Sequence, residues 1–450
     1  MTLAERLAAF AAALEFDQLP PDVVASVRLR ALDVLGLALA ASTYDFAAPV
    51  MAVASDGGPC SIIGSMRTAS PAGAALVNGT LAHGLDFDDT HAVSITHASA
   101  VVVPTALAVA ESEGVSGRDV VTAIVAGYEA IARLGMAAPG AFHARGWHAT
   151  SACGTLAAAL TAGTLLRLDA RRLASALGIA GSFASGLMEF LEDGSAVKRL
   201  HAGWAGHAGI VAATLAAGGV SGPASVLEGR FGFYRTFVGT APLAEVFETL
   251  GREWETPRIG FKPYPCCHLN HAYIDCALRL REEHRVDPDA IVDIECHVPT
   301  GEVPIVCEPR TAKLRPRTTY EAQFSLPFAT AAALLDGRVA LGTFTEARLA
   351  DERLLGLAAR VRHVVDAGST FPSGFPGWVA IRLADGRVLE AREPDGRGGP
   401  ARPLPPAAIV EKFHQNAGLF LDPARRDELA RAVLALDDAP DVRKLMGLCR

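Results

Sequence analysis

No two cysteines of this chain stand at C-x-x-C spacing. Its eight cysteines are scattered at 60, 153, 266, 267, 276, 296, 307 and 449, which excludes a zinc ribbon or a dithiol redox motif. The chain also lacks positive charge: 41 Lys and Arg against 49 Asp and Glu leave a formal net charge of −8. A nucleic-acid partner needs a basic face and is excluded on that ground. An anionic small molecule is not, because a pocket can be locally basic on an acidic protein. No apolar run reaches the roughly 18–20 residues of a membrane span, so no membrane partner is expected. The first residues, Met1-Thr2-Leu3-Ala4-Glu5-Arg6, carry no basic stretch followed by an apolar one, so the reading is cytoplasmic, with reduced thiols.

What is present is an ordinary globular composition, 50% hydrophobic and 20% charged, over 450 residues. That length exceeds one compact core and sets two domains as the starting expectation. Up to about residue 255 the chain is alanine-rich, with apolar residues recurring at helical spacing over 3–14, 22–40, 71–87, 104–113, 118–137, 150–167, 170–187 and 203–218. Gly203, Gly206 and Gly209, set among alanines, read as close packing between helices. Beyond 255 prolines become frequent and alternation appears. Residues 291–298 read as a strand, and 378–383 with 387–391 as a β-hairpin. Helical stretches lie between them at 271–283, 322–336 and 345–353. A proline- and glycine-rich linker covers 394–406. Two helices at 407–415 and 424–437 close the chain and would return it to the first domain.

Four segments carry residue types that move protons or bind carboxylates. The densest is Asn78 to His97, where His83, His91 and His97 stand with Asp86, Asp88 and Asp89 in fifteen residues. Imidazole and carboxylate are the groups that transfer protons near neutral pH. On a helix running to 87, His83 and Asp86 would share a face at i and i+3. Three buried charged aspartates are costly, so the segment is expected to reach a solvated or ligand-filled cleft; an aspartate capping the next helix is the plainer alternative. The second is Gly146-Trp147-His148-Ala149-Thr150-Ser151. His148 precedes a helix that Thr150 or Ser151 could cap, and the helix dipole there disfavours imidazolium; a packed histidine is the plainer reading. The third is Lys198-Arg199 ahead of the glycine-rich helix, either a carboxylate-neutralising pair or a solvated one. The fourth is Phe261 to His271, at the expected domain boundary, with Lys262, His268 and His271; its vicinal Cys266 and Cys267 read as packing thiols.

In this order and spacing the four segments resemble the MmgE/PrpD family, which includes 2-methylcitrate dehydratase, cis-aconitate decarboxylase and iminodisuccinate epimerase. The resemblance is carried by Asn78-Gly79, Ala82-His83, Leu85 to Thr90, His97-Ala98-Ser99, Gly146 to Thr150, Lys198 to Gly203, Lys262 with Pro265, and Ala322 to Ser325. It implies a mainly α fold: a large all-helical main domain built from both chain ends (1–258 and 405–450) with an inserted α+β lid domain (259–404). It further implies a homodimer and a site between the domains that works without cofactor or metal. Family positions matching Asp86, Thr90, His97, His148, Lys198 and Lys262 line that site. Decarboxylase-like members have a histidine where Cys267 stands and a tyrosine near Phe328. Epimerase-like members carry Pro-x-Cys-x-x-Asn-His, which Pro265 to His271 fits, but a tyrosine where His143 stands.

The expected activity is therefore that of a lyase on a di- or tricarboxylic acid, first a dehydratase of the 2-methylcitrate type, then an epimerase, then a decarboxylase. Asp86, His97, His148 and Lys198 are the expected catalytic set. Thr90, Arg199, Lys262, His268, His271 and His143 are expected to bind substrate. Two readings from other classes stand beside it: a metal-dependent hydrolase using Asp86, Asp88, His91 and His97, without any H-E-x-x-H spacing to support it, and a binding protein without turnover.

Overall fold

The computed structural model describes residues 1–54, 57–371 and 374–450. They form two compact units: residues 1–188, 197–259 and 405–450, and residues 189–196 with 260–404.

The first unit is helical apart from strand fragments two residues long. Its helices are α1 (Leu3–Ala13), α2 (Pro21–Ala41), α3 (Pro71–His83), α4 (Ala98–Glu113), α5 (Gly117–Met136), α6 (Ala149–Leu165), α7 (Ala170–Phe183) and α8 (Leu200–Ala217). Their starts follow from local chemistry. Ser70 accepts from the Gly73 amide with Pro71 opening α3, Ser116 and Asp119 make a reciprocal cap on α5, and Asp169 accepts from Arg172 N at α7; each satisfies amides that a helix leaves unpaired. Helix α4 begins six residues before Pro104 instead of at it. The ring removes one amide donor there, and the Thr105 hydroxyl bonds the Val101 carbonyl at 2.7 Å in the same turn.

Helix α8 packs against α3, α4, α6 and α7. A Cβ at Gly203 would lie 2.0 Å from the Leu76 carbonyl of α3, and one at Gly209 2.4 Å from Ala158 of α6. The glycines thus serve close helix approach, as the small-residue pattern predicts.

The second unit is built on a four-stranded sheet of β1 (Ile291–Val298), β2 (Val361–Val365), β3 (Gly377–Leu383) and β4 (Val388–Glu393), in the order β2-β1-β3-β4. β1 runs parallel to β2 and antiparallel to β3, and β3 and β4 form the expected hairpin. Ile294, Cys296, Val379 and Ile381 are buried. Alternate residues of these strands share a face, and α9 (His271–His284) packs on β3 and β4. α10 (Leu326–Asp336) packs on α9, and α11 (Glu352–Ala358) on α10.

Several boundaries differ from the sequence reading. The 322–336 helix is interrupted, because Ser325 caps α10 afresh by accepting from the Phe328 amide. The 345–353 helix is two pieces, since Asp351 accepts from the amides of Arg353 and Leu354 and opens α11. Strand β2 is absent from the reading, its Arg362 and His363 breaking the alternation that marks a half-buried strand.

The chain returns to the first unit in α12 (Pro406–Ala417) and α13 (Pro423–Leu434), both of which pack on α2. No helix among the described residues is long and apolar enough to cross a membrane.

Candidate active site

The aspartate-rich segment does not continue α3. The helix ends at His83, and Asp86 turns back in the left-handed region with φ of 51°, a conformation Asp tolerates better than most residues. The expected i, i+3 pairing of His83 and Asp86 on one helical face is therefore replaced by a tight turn. Asp86 N bonds the His83 carbonyl at 3.0 Å.

The segment is not solvated either. Asp86, Asp88 and Asp89 are all buried, and each has its own donors. Asp86 Oδ1 meets Lys198 Nζ at 2.5 Å. Asp88 Oδ2 meets His83 Nδ1 at 2.7 Å. Asp89 accepts from the Ser99 amide at 3.1 Å and from Arg30 at 3.2 Å, as well as from the Ser99 hydroxyl. Pairing offsets the desolvation of each charge, where the sequence reading expected a solvated or ligand-filled cleft. Lys412 of α12 adds a brace, donating to the Phe87 carbonyl at 2.8 Å and to Asp33 at 3.0 Å. Burial raises Asp33 to about 6 against the opposing effect of Lys412.

The brace presents two histidines. His97 precedes α4; its amide donates to Thr150 Oγ1 at 3.0 Å. Thr150 therefore accepts from His97 and does not cap α6, whose N-cap position is His148, without a side-chain cap. His97 Nδ1 lies 2.7 Å from the Asp89 carbonyl and 3.1 Å from Thr90 Oγ1. A carbonyl can only accept, so the proton is on Nδ1 and the lone pair on Nε2. The ring of His148 stands 6.0 Å from that of His97.

Three further imidazoles complete a cluster. The His83 ring is 5.1 Å from His97 and 5.8 Å from His148. His143 is 6.2 Å from His148. His201 Nδ1 is 3.0 Å from His148 Nδ1. The cationic forms are disfavoured here. Burial first, then the neighbouring histidines and Lys198, hold His148 well below its ordinary value. Burial and Lys198 lower His143 to about 4; burial, His83 and Lys198 lower His201 to about 3. The sequence anticipates a neutral His148 from the helix dipole; burial is the leading cause.

The cluster therefore pairs neutral imidazoles, which can accept a proton, with an ammonium, which can hold developing negative charge. Asp86, Thr90, His97, His143, His148 and Lys198 are brought together in the first unit. The Arg199 guanidinium lies 4.4 Å above the Phe46 ring. Lys262, His268 and His271 belong to the second unit, where Lys262 is buried and His271 Nε2 lies 3.2 Å from the Cys266 carbonyl. The rings of His268 and His271 are 5.0 Å apart, and Cys266 and Cys267 are buried thiols. The four ligands of the hydrolase reading do not converge: His91 bonds Ser94 at 2.8 Å and Glu255 at 3.2 Å. No group of three or more His, Cys, Asp or Glu among the described residues is arranged to hold a metal ion.

The sequence reading left His83 and His201 out of the site. Both stand inside segments it singled out, His201 three residues beyond Lys198. Neither residue's contact with His148 is visible without knowing how α3, α6 and α8 pack.

The cis-aconitate decarboxylase-like protein oryM of Aspergillus oryzae is 29% identical over 460 residues, covering 97% of this chain and 94% of that protein. The cis-aconitate decarboxylase of Aspergillus terreus is 29% identical, covering 98% and 94%. That of Homo sapiens is 29% identical, covering 84% and 79%. The family model for the MmgE/PrpD N-terminal domain matches residues 5–245, which hold the whole histidine cluster, and that for the C-terminal domain matches 264–438. Between them the two models span most of the sequence, and the chain is a member of the MmgE/PrpD family of lyases and related enzymes.

Proposed function

We propose that this protein is a cofactor-independent lyase acting on a di- or tricarboxylic acid, by proton abstraction at the carbon next to a carboxylate. The observation that carries the proposal is the cluster of imidazoles around His148, beside the buried Lys198–Asp86 pair. His148 removes the α-proton through Nε2. The enolate that forms is stabilised by the Lys198 ammonium, a fixed charge that needs no reorganisation. With a hydroxyl on the next carbon, the C–O bond breaks as the C=C bond forms, and the proton that His148 has taken passes from its Nε2 to the leaving oxygen, which departs as water, with His97, 6.0 Å away, as the alternative base. That outcome is dehydration, as in the 2-methylcitrate reaction. Reprotonation on the opposite face would give an epimer.

Decarboxylation is a second reading, favoured by the names of the relatives, which are cis-aconitate decarboxylases along nearly the whole of this chain. Loss of CO₂ generates a carbanion of the same kind, held by the same ammonium, but its first need is for an acid. A site of depressed histidines fits abstraction first. Lys262, His268, His271, Arg199, Thr90 and His143 are proposed as carboxylate contacts; Thr90 and Lys262 match family site positions, and His268 and His271 stand in the same segment as Lys262. The homodimer rests on the family resemblance and is open to light scattering in solution; the cytoplasmic location rests on the sequence reading.

The test is a panel of hydroxylated and unsaturated di- and tricarboxylates followed by NMR in deuterated water, before and after dialysis against a chelator. Dehydration, epimerisation and decarboxylation leave different products, and all require exchange at carbon. His97→Ala and His148→Ala are expected to keep the fold and lose ~10²–10⁴-fold in rate. Exchange at the wild-type rate by both variants would remove the assignment.

A further inference from the structure

His148 is gripped at two points. Its amide donates to the Gly186 carbonyl at 2.8 Å, and its Nδ1 meets the Nδ1 of His201 at 3.0 Å. Gly186 has φ of 111°, and a Cβ there would fall 2.5 Å from Ser151 Cβ and 3.6 Å from His201 Nδ1. The backbone at Gly186 thus passes close to Ser151 and His201. His148 starts α6 and His201 lies in the first turn of α8, two helices in extensive contact.

Two neutral imidazoles meeting Nδ1 to Nδ1 share one proton, so one ring donates and the other accepts. The choice decides the chemistry of His148. As donor it keeps a lone pair on Nε2. As acceptor it carries N–H on Nε2 and is no base there. Nδ1 makes the only side-chain hydrogen bond of His148 among the described residues, which leaves Nε2 for ligand. A base at Nε2 needs the first arrangement, with His148 as donor.

We propose that His201 is a positioning residue, accepting the Nδ1–H of His148 and so fixing the His148 lone pair on Nε2. The same role falls to a carboxylate in the serine-protease triad, where the wrong tautomer is costly in rate. Here a second neutral imidazole does it, adding no negative charge to a site meant for carboxylates. The inference rests on the reading of His148 as base.

The test is nitrogen-15 NMR of histidine-labelled free protein at neutral pH, with kinetics on the acid that the panel identifies. In the wild type His148 is expected to show a protonated Nδ1 and an unprotonated Nε2. His201→Phe keeps a ring but removes the acceptor. It is expected to mix the tautomers and lower kcat about 10²-fold, with KM within about twofold because the ring leaves the carboxylate contacts in place. His201→Asn restores an acceptor and should recover the tautomer and part of kcat. A wild-type His148 protonated on Nε2 would overturn the proposal even if neither variant folds. So would His201→Phe with an unaltered tautomer. The proposed tautomer without proton exchange on any panel acid would fault the function reading and leave this role for His201 standing.

Discussion

Replacing His201 by glutamine should change how folding stability depends on pH. His201 is 7% exposed, and burial, with help from His83 and Lys198, lowers it to about 3 from 6.5. Between those values the unfolded chain binds more protons at this position than the folded one, so stability rises with pH. The contribution is fully present above 6.5 and is lost as pH falls toward 3. At pH 5 the ring lies 1.5 units below its unfolded value, which at 1.36 kcal/mol per unit is about 2 kcal/mol. That figure holds for any folded value well under 5. Glutamine does not titrate, so the variant lacks this loss. Other groups move in both directions, Asp33 among them, since a carboxyl raised to about 6 favours the folded state at low pH. The difference between wild type and variant removes those shared effects. Urea unfolding at pH 8 and pH 5, followed by tryptophan fluorescence with Trp147, Trp204 and Trp254 reporting on the first unit, gives that difference directly. The advantage of wild type over His201→Gln should shrink by about 2 kcal/mol at pH 5. A difference that stays constant between the two pH values, within the ~0.3–0.5 kcal/mol to which such comparisons hold, would mean that His201 titrates as a solvated ring, and the neutral cluster would fall with it.

Other outcomes follow from the packing and from the braces. Gly203→Ala forces a methyl against the Leu76 carbonyl and Thr80 and should cost ~1–3 kcal/mol or more, read as a lowered urea midpoint. Lys412→Met leaves Asp33 buried without its ammonium and should cost ~3–5 kcal/mol. Hydrogen exchange should then quicken at residues 85–91, and unchanged protection there would refute the bracing role. Thr150→Val removes the acceptor of the His97 amide and should cost ~1–3 kcal/mol, with kcat falling more than KM rises, as steady-state kinetics would show.

Regular elements were the most legible part of this chain. Helices α1 to α3 and α5 to α8 follow from apolar spacing, and the β3–β4 hairpin from alternation around Ala384-Asp385-Gly386. Ends were less so, since a cap decides them: periodicity runs on through Leu85, yet α3 stops at His83. Asp86, His97, His148 and Lys198 could be named because they stand in dense polar segments inside an apolar sequence, while Thr90 and His143 came with the family resemblance. Their pairings could not. Residue 198 is 112 positions from Asp86, and no local rule announces that the two meet. The three aspartates show the same limit from the other side. Burial cost was rightly weighed, but Lys198 and Arg30 stand 112 and 59 positions from the aspartates they meet, and without them a solvated or ligand-filled cleft was the expectation.

The Lys412 brace also bears on how the protein is made. Its ammonium and the Asp33 carboxylate it binds are 379 residues apart in sequence. At roughly 5–20 residues per second, about 20–75 s of synthesis separates the two. During that interval the first unit has its aspartate turn and most of its helices, but the carbonyl of Phe87 and the carboxylate of Asp33 have no ammonium to meet. The whole second unit is translated in the meantime. The first unit therefore cannot complete the brace of its aspartate turn until α12 has been made, however fast its other helices form.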